Sequence, residues 1–413
     1  SKSEAVWSIK IQNLSDNNSE IIFSERDNKP VISTSENGFV LSYNGLIYNG
    51  KRWDIDLNLN FSKKGEAFSV NGEIKNNVQG WAVVGFTGPV ISGIKAELAG
   101  YPLIMPCGLG QKFTKAPSSK DSINKVSFKG GLAWKYDQAT SSFFVKSDYP
   151  SRFATMQWCS FAGDKGGLYY GSHDNKHGSK HFLVSYKPSD NTLGVAFEHD
   201  LACAPGAKWQ IPEQIIYPYK GTWHKGADLY REWFRTSVAF QQVPEWLRNS
   251  SGWMLTIMKQ QNNEVMWNYA DLSELADISL ERGLDIIGLF GWTIGGHDKF
   301  YPYYEPDPAM GGKEGLMKVL KDIKKKGVRS IIYANGQLID QNGTDYWEKE
   351  GKRISVLKRD GKVDYQKWHK YYDAPARFHG MACLGCDEWY DIMLKLALQA
   401  NELGADGILY DQL

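Results

Sequence analysis

Three stretches of this chain repeat one grammar. Glu281-Arg282-Gly283 leads into Leu284-Asp285-Ile286-Ile287-Gly288-Leu289-Phe290, Lys325-Lys326-Gly327 into Val328-Arg329-Ser330-Ile331-Ile332-Tyr333-Ala334, and Glu402-Leu403-Gly404 into Ala405-Asp406-Gly407-Ile408-Leu409-Tyr410-Asp411. Helices that stop at glycine and feed short continuous apolar runs mark βα units around a parallel sheet buried on both faces. Counted from the three glycines, Phe290, Ala334 and Asp411 are equivalent, and Gly291, Asn335 and Gln412 come next. In a (β/α) barrel the residues just past the strand ends face the catalytic mouth. Trp292, Asn335, Asp411 and Gln412 are therefore expected to look into one cavity. Asp411 is the most demanding of them, because an ionised carboxylate at the tip of a buried strand is costly unless something pairs with it. It is taken as the centre of an active site.

A chain of 413 residues is too long for one core, so two domains are expected. From Ser1 to about Lys220 the text alternates with period two, as in Asp54-Ile55-Asp56-Leu57-Asn58-Leu59-Asn60-Phe61, and turn signals such as Asn49-Gly50 and Asn71-Gly72 separate many short strands. This predicts an antiparallel β-sandwich over residues 1–222. Ala227, Tyr230, Trp233, Phe234 and Val238 then recur at helical spacing, giving a helix from Lys225 to about Phe240 within a connector over residues 223–250. Residues 251–413 read as the first half of a barrel, with Ser251 to Met258 as its first strand and Gly407 to Tyr410 as its fourth.

Lys plus Arg number 48 against 47 for Asp plus Glu. That balance gives no electrostatic case for a nucleic-acid partner. No apolar run has the length of a membrane-spanning segment. The chain begins at Ser1, as a mature secreted protein would after signal removal and as a trimmed chain also would, and the expected setting is secreted or periplasmic. The 15 Trp and 22 Tyr are many for this length; flat amphipathic rings suit stacking on sugar faces, and they equally serve as core filler in large β domains.

Two loops carry polar clusters. His173, Asp174 and His177 could hold a metal, but solvated turn residues are the simpler reading. The long loop from Gly291 through Gly295-Gly296-His297-Asp298 to Gly312 is of a length that is usually functional. His297 and Asp298 are its expected substrate contacts, against the alternative of a tight turn capping itself. Asn335 either donates to a sugar hydroxyl or closes a turn. The excursion from Asn342 to Cys386, rich in Lys, Trp and Tyr, is expected to lie over the mouth. Its Cys383-Leu384-Gly385-Cys386 is one C-x-x-C without a second pair, so two free thiols or a disulfide are favoured over a metal. No cofactor is expected.

Gly221-Thr222-Trp223-His224, Tyr230-Arg231-Glu232-Trp233, the G-W-x-x-G-G-x-D run from Gly291 to Asp298 and the D-G-I-x-Y-D-Q strand from Asp406 to Gln412 together resemble the α-galactosidase-like retaining glycoside hydrolases, and in particular secreted bacterial relatives of that group. The resemblance implies a β-sandwich followed by a (β/α)8 TIM-type barrel, and a glycosidase, retaining and α-specific, acting on an oligosaccharide or glycoside in polysaccharide degradation. It implies Asp411 as nucleophile, with Tyr410 and Gln412 flanking it and His297 and Asp298 holding substrate hydroxyls. Retaining glycosidases need a second carboxyl group about 5 Å from the first. The family carries that acid/base aspartate on a later strand, so it is expected beyond Leu413 with the remainder of the barrel; Asp298 and Asp340 are the alternatives within these residues. The competing class is a carbohydrate-binding protein without catalysis. A sugar epimerase-like sandwich is a third reading, and the sandwich shows no acid/base pair for it.

Overall fold

Period-two alternation in the first half of the chain becomes paired antiparallel strands. The computed structural model describes residues 5–16, 19–95, 101–108, 110–126, 133–138, 140–151, 153–239, 241–358, 361–372 and 374–412. The chain divides into two units, Ser1–Gln241 and Gln242–Leu413. In the first, Lys51–Lys64 pairs with Ala67–Asn76 so that Leu57 lies opposite Ile74 and Leu59 opposite Gly72. Ile55, Leu57 and Leu59 are fully buried on one face, as side chains two apart must be when only one face is dry. An eight-stranded and a nine-stranded sheet result. Between them Trp7, Ile9 and Phe86 meet Leu57, Leu59 and Ile74, and further along Phe182, Val184 and Phe197 meet Leu103, Met105 and Phe161.

The helix His224–Ser237 packs Tyr230, Trp233 and Phe234 onto Trp158, Tyr169 and Tyr219. Its contacts place it in the first unit, and the expected terminus at Phe240 lies outside the described residues. Beneath it the polar cluster read as a solvated turn is solvated only in part: Asn175 and Lys176 are exposed, His173 and His177 are half-buried, and Asp174 is buried. The Lys180 ammonium, fully buried, pairs with Asp174 Oδ2 at 2.9 Å, His177 Nδ1 meets the Tyr149 hydroxyl at 2.9 Å, and His173 stacks on Trp233 at 4.6 Å. The helix that covers these groups is distant in sequence, which is why turn composition alone misjudged their solvation.

The second unit is built on four parallel strands, Trp253–Ile257, Ile286–Phe290, Arg329–Asn335 and Gly407–Asp411, in that spatial order. The three glycines ahead of the last three strands, Gly283, Gly327 and Gly404, all have positive φ, at 73°, 93° and 88°. A left-handed residue there lets the helix end and the chain turn back, a conformation glycine adopts without the steric penalty of a Cβ. One face of the sheet presents Ile287, Leu289, Ile332 and Ala334 to Leu275, Leu316, Leu320, Ile323, Leu396 and Ala400 of the helices Leu272–Glu281, Gly312–Lys325 and Asp387–Leu403. Each leucine or isoleucine among them stabilises the unit by about 1.5–3 kcal/mol when fully buried. The opposite face is open, leaving Trp253 41%, Leu255 50% and Leu409 37% exposed.

Between the third and fourth parallel strands the excursion folds into a small antiparallel sheet, Leu338–Asp340 and Tyr365–Trp368 flanking Arg377–Met381. It has its own apolar cluster of Ile339, Trp347, Ile354, Ala382 and Trp389. Cys383 and Cys386 are free thiols, and no group of three or more metal-binding side chains occurs among the described residues.

Candidate active site

At the C-terminal tips of the parallel strands lies a cavity of about 540 Å3 lined by Phe290, His297, Asp298, Tyr333, Trp368, Lys370 and Asp411, with Lys367 and His369. Its volume falls in the range of small-molecule sites, roughly 300–1,000 Å3. Parallel register aligns its walls: Asn335 lies opposite Asp411, and Tyr333 opposite Leu409. Alternation then puts Tyr333, Leu409 and Asp411 on the same face of the sheet.

Asp411 is exposed at the strand tip, and its Oδ2 accepts a 3.0 Å hydrogen bond from the Tyr333 hydroxyl. Burial pushes that phenol up to about 12, so it acts as a donor at neutral pH. The Tyr333 ring is stacked 4.4 Å from Phe290, which fixes the direction of its hydroxyl.

His297 and Asp298 arrive on the loop after the second strand. Gly291, at φ +60°, makes the approach possible: a Cβ there would sit 2.1 Å from the Lys259 carbonyl oxygen. The His297 amide donates to that same carbonyl at 2.9 Å. His297 is wedged edge-on against Phe290 and Tyr333, and burial pulls its imidazole down to about 4, leaving it neutral at physiological pH. Asp298 is 2% exposed and holds a left-handed backbone at φ +62°, which aspartate tolerates better than most residues. Its amide donates to the Tyr301 hydroxyl at 3.0 Å and its carbonyl accepts from Gln261 Nε2 at 3.2 Å. Its carboxylate accepts from Tyr301, lies 3.3 Å from His297 Nε2 and pairs with the Lys370 ammonium.

The structure thus brings Asp411, His297 and Asp298 together. Gln412 stands at the rim, where its Oε1 accepts from Gln366 Nε2 at 3.2 Å. Three others do not line the cavity. Trp292 is 1% exposed within the core, its indole N–H donating to the Tyr333 carbonyl at 2.9 Å. Tyr410, on the helix side of its strand, donates to the Met393 carbonyl at 2.7 Å. Asn335 closes a turn, its Oδ1 accepting from the amides of Gln337 and Leu338 at 3.0 and 2.8 Å. Asp340 is fully buried and takes the amides of Phe300 and Asn342 at 2.8 and 3.0 Å, so it caps backbone away from the cavity lining. The cavity residues that sequence reasoning did not single out are Phe290, Tyr333, Lys367, Trp368, His369 and Lys370. Tyr333 was within reach, since it lies one strand repeat before Asn335 on the same face.

Residues 209–413 match a family described as a domain of unknown function (DUF6259). A Monosiga brevicollis protein described as a candidate glycoside hydrolase is 25% identical over 322 residues, covering 69% of this chain and 26% of that protein. An α-N-acetylgalactosaminidase from Bifidobacterium bifidum superposes with a TM-score of 0.67 at 11% identity, over 99% of this chain and 66% of its own. A GH36 α-galactosidase from Geobacillus stearothermophilus does so with a TM-score of 0.56 at 11% identity, over 100% of this chain and 55% of its own. The chain therefore shares the fold of the α-galactosidase-like glycoside hydrolases, as its motifs suggested. It spans about a quarter of the curated relative's length and less than two thirds of the α-galactosidase's.

Proposed function

We propose that this protein is a retaining glycoside hydrolase in which Asp411 attacks the anomeric carbon of a glycoside held in the cavity at the strand tips. The observation that carries the proposal is the placement of Asp411: an exposed carboxylate at the C-terminal end of a parallel strand, opening on a cavity of about 540 Å3, in a fold shared with α-galactosidases. Carboxylates at that end of βα units sit where (β/α) barrels perform chemistry. The Tyr333 hydroxyl holds Oδ2, which leaves Oδ1 for attack. Neutral His297 and the carboxylate of Asp298 supply hydrogen-bonding partners for hydroxyls.

The four strands are proposed as the first half of a closed (β/α)8 barrel. The apolar residues on their open face, Trp253, Leu255 and Leu409, are what a barrel interior would cover. Further strands would also contribute the acid/base carboxylate that protonates the leaving oxygen. The α-specificity rests on the fold likeness alone.

A second reading, carbohydrate binding without turnover, draws on one observation. Among the described residues the other carboxylate lining the cavity is Asp298, already engaged by Lys370, which suits a hydroxyl acceptor better than a proton donor. Assay of the intact protein on a panel of aryl α- and β-glycosides, with Asp411→Asn beside it, separates the two. Turnover abolished by the substitution supports the hydrolase; sugar binding with no turnover of any member supports the second reading.

A further inference from the structure

The excursion places one residue in the cavity that no motif marks. Lys370 reaches in from the segment after Tyr365–Trp368, and its ammonium pairs with the buried carboxylate of Asp298. The same ammonium stands 5.5 Å from the centroid of the Trp368 ring; burial holds its pKa below the ordinary lysine value, and the charge of Asp411 opposes that shift. Lysine usually keeps its head group in water. Here it has exchanged part of that water for a carboxylate and an aromatic face, yet its side chain remains 39% exposed. An ammonium has three N–H donors, and among the described residues Asp298 is its one hydrogen-bond acceptor.

Trp368 is held at a fixed angle by a relay back to the fourth parallel strand. Its Nε1 donates to Gln366 Oε1 at 3.1 Å, and Gln366 Nε2 donates to Gln412 Oε1 at 3.2 Å, one residue past Asp411. Behind it, the ring packs on His379 at 4.9 Å.

From this geometry, and resting on the glycosidase reading above, we infer that Lys370, Asp298 and the face of Trp368 form a subsite that recognises a vicinal diol of a pyranose. The ammonium donates to one hydroxyl oxygen, the carboxylate accepts from the O–H of that hydroxyl or its neighbour, and the C–H face of the sugar lies against the part of the indole that the ammonium leaves uncovered. Such a pair discriminates steeply, because removing a hydroxyl leaves charged groups without their partners. The class selected is a sugar with both hydroxyls unsubstituted. Lys370 and Trp368 are then specificity-determining residues.

The test is calorimetric titration of the intact protein with D-galactose, D-glucose, D-mannose and L-fucose, followed by the mono-deoxy forms of whichever binds best. Lys370→Met and Trp368→Ala are each expected to weaken the best sugar about 10- to 100-fold. Lys370→Met should also lose the wild-type preference for that sugar over the one deoxy form that lacks the contacted hydroxyl, an effect that loss of a merely structural fastening would not produce. Tyr371→Phe removes another fastening of the same segment, the 2.7 Å bond to Gln260 Oε1, and is expected to change affinity less than about threefold. Unchanged affinity and deoxy preference in Lys370→Met, or an equal loss in Tyr371→Phe, overturns the inference even where glycosides are hydrolysed. Lys370-dependent binding without turnover of any glycoside supports the inference and overturns the hydrolase. Failure of all these sugars to bind, with no turnover, overturns both.

Discussion

The hydroxyl of Tyr333 donates to Oδ2 of Asp411 at 3.0 Å, tying the tips of the third and fourth parallel strands together at the floor of the cavity. A hydrogen bond to a charged acceptor contributes roughly 1.5–3 kcal/mol. Tyr333→Phe removes it while keeping the ring on Phe290, so kcat for the best glycoside should fall about 10-fold or more; because Asp411 is exposed and water can take the place of the phenol, the stability loss should stay near ~1 kcal/mol, about 2–4 °C in unfolding temperature. Steady-state kinetics and a thermal melt on the same preparation check the split.

In the sandwich, Lys180 and Asp174 form an ion pair in which the lysine is fully buried. Burial opposes both charges, and the partner's presence holds the Asp174 carboxyl below its ordinary value. Lys180→Met strands the carboxylate, and breaking a buried pair on one side costs about 3–5 kcal/mol. Chemical denaturation should show that loss, with partial recovery in the double variant that adds Asp174→Asn.

Buried neutral histidines make the fold acid-sensitive. Burial pulls His199 down to about 3 and His173, His297 and His379 to about 4, from an ordinary 6.5. A depressed histidine binds its proton more readily in the unfolded chain, so its contribution is complete above 6.5 and is lost as pH falls toward the folded value. For His199, 2% exposed, the loss is on the order of 2 kcal/mol over the two units below pH 6.5. The melting temperature should fall across that range, and His199→Gln should flatten the slope.

Gly404 tests the helix-to-strand grammar itself. At φ +88° it has no atom within 4 Å of where a Cβ would stand, so Gly404→Ala isolates backbone strain. Destabilisation of about 1 kcal/mol is expected, measured by denaturant midpoint.

That grammar was legible because it is local. A glycine, an apolar run and a polar tip fix where a helix ends, which strand follows and which residue reaches the rim, and Asp411 was reached that way; His297 and Asp298 came instead from the length of the loop after the second strand. Tyr410 could have been set aside on sequence alone: side chains alternate along a strand, so the neighbour of an inward Asp411 faces the helices, where it bonds to Met393. Trp292 was harder. Its burial depends on Tyr269, whose hydroxyl donates to the Trp292 carbonyl at 2.7 Å and accepts from the Asp307 amide at 2.7 Å, a bridge between segments with no shared pattern. Lys370 and Trp368 lay in an excursion with no periodicity to set their direction; their roles come from contacts to Asp298 and Gln366, and only the fold brings Asp298 near.

The most direct measurement is to incubate the intact protein with activated 2-deoxy-2-fluoro glycosides matched to its best substrate and to map any covalent label by mass spectrometry. A single glycosyl adduct on the carboxylate of Asp411, absent from Asp411→Asn, is the expected result. Turnover of the parent glycoside with the adduct on another carboxylate, or undiminished turnover in Asp411→Asn, would contradict Asp411 as the nucleophile.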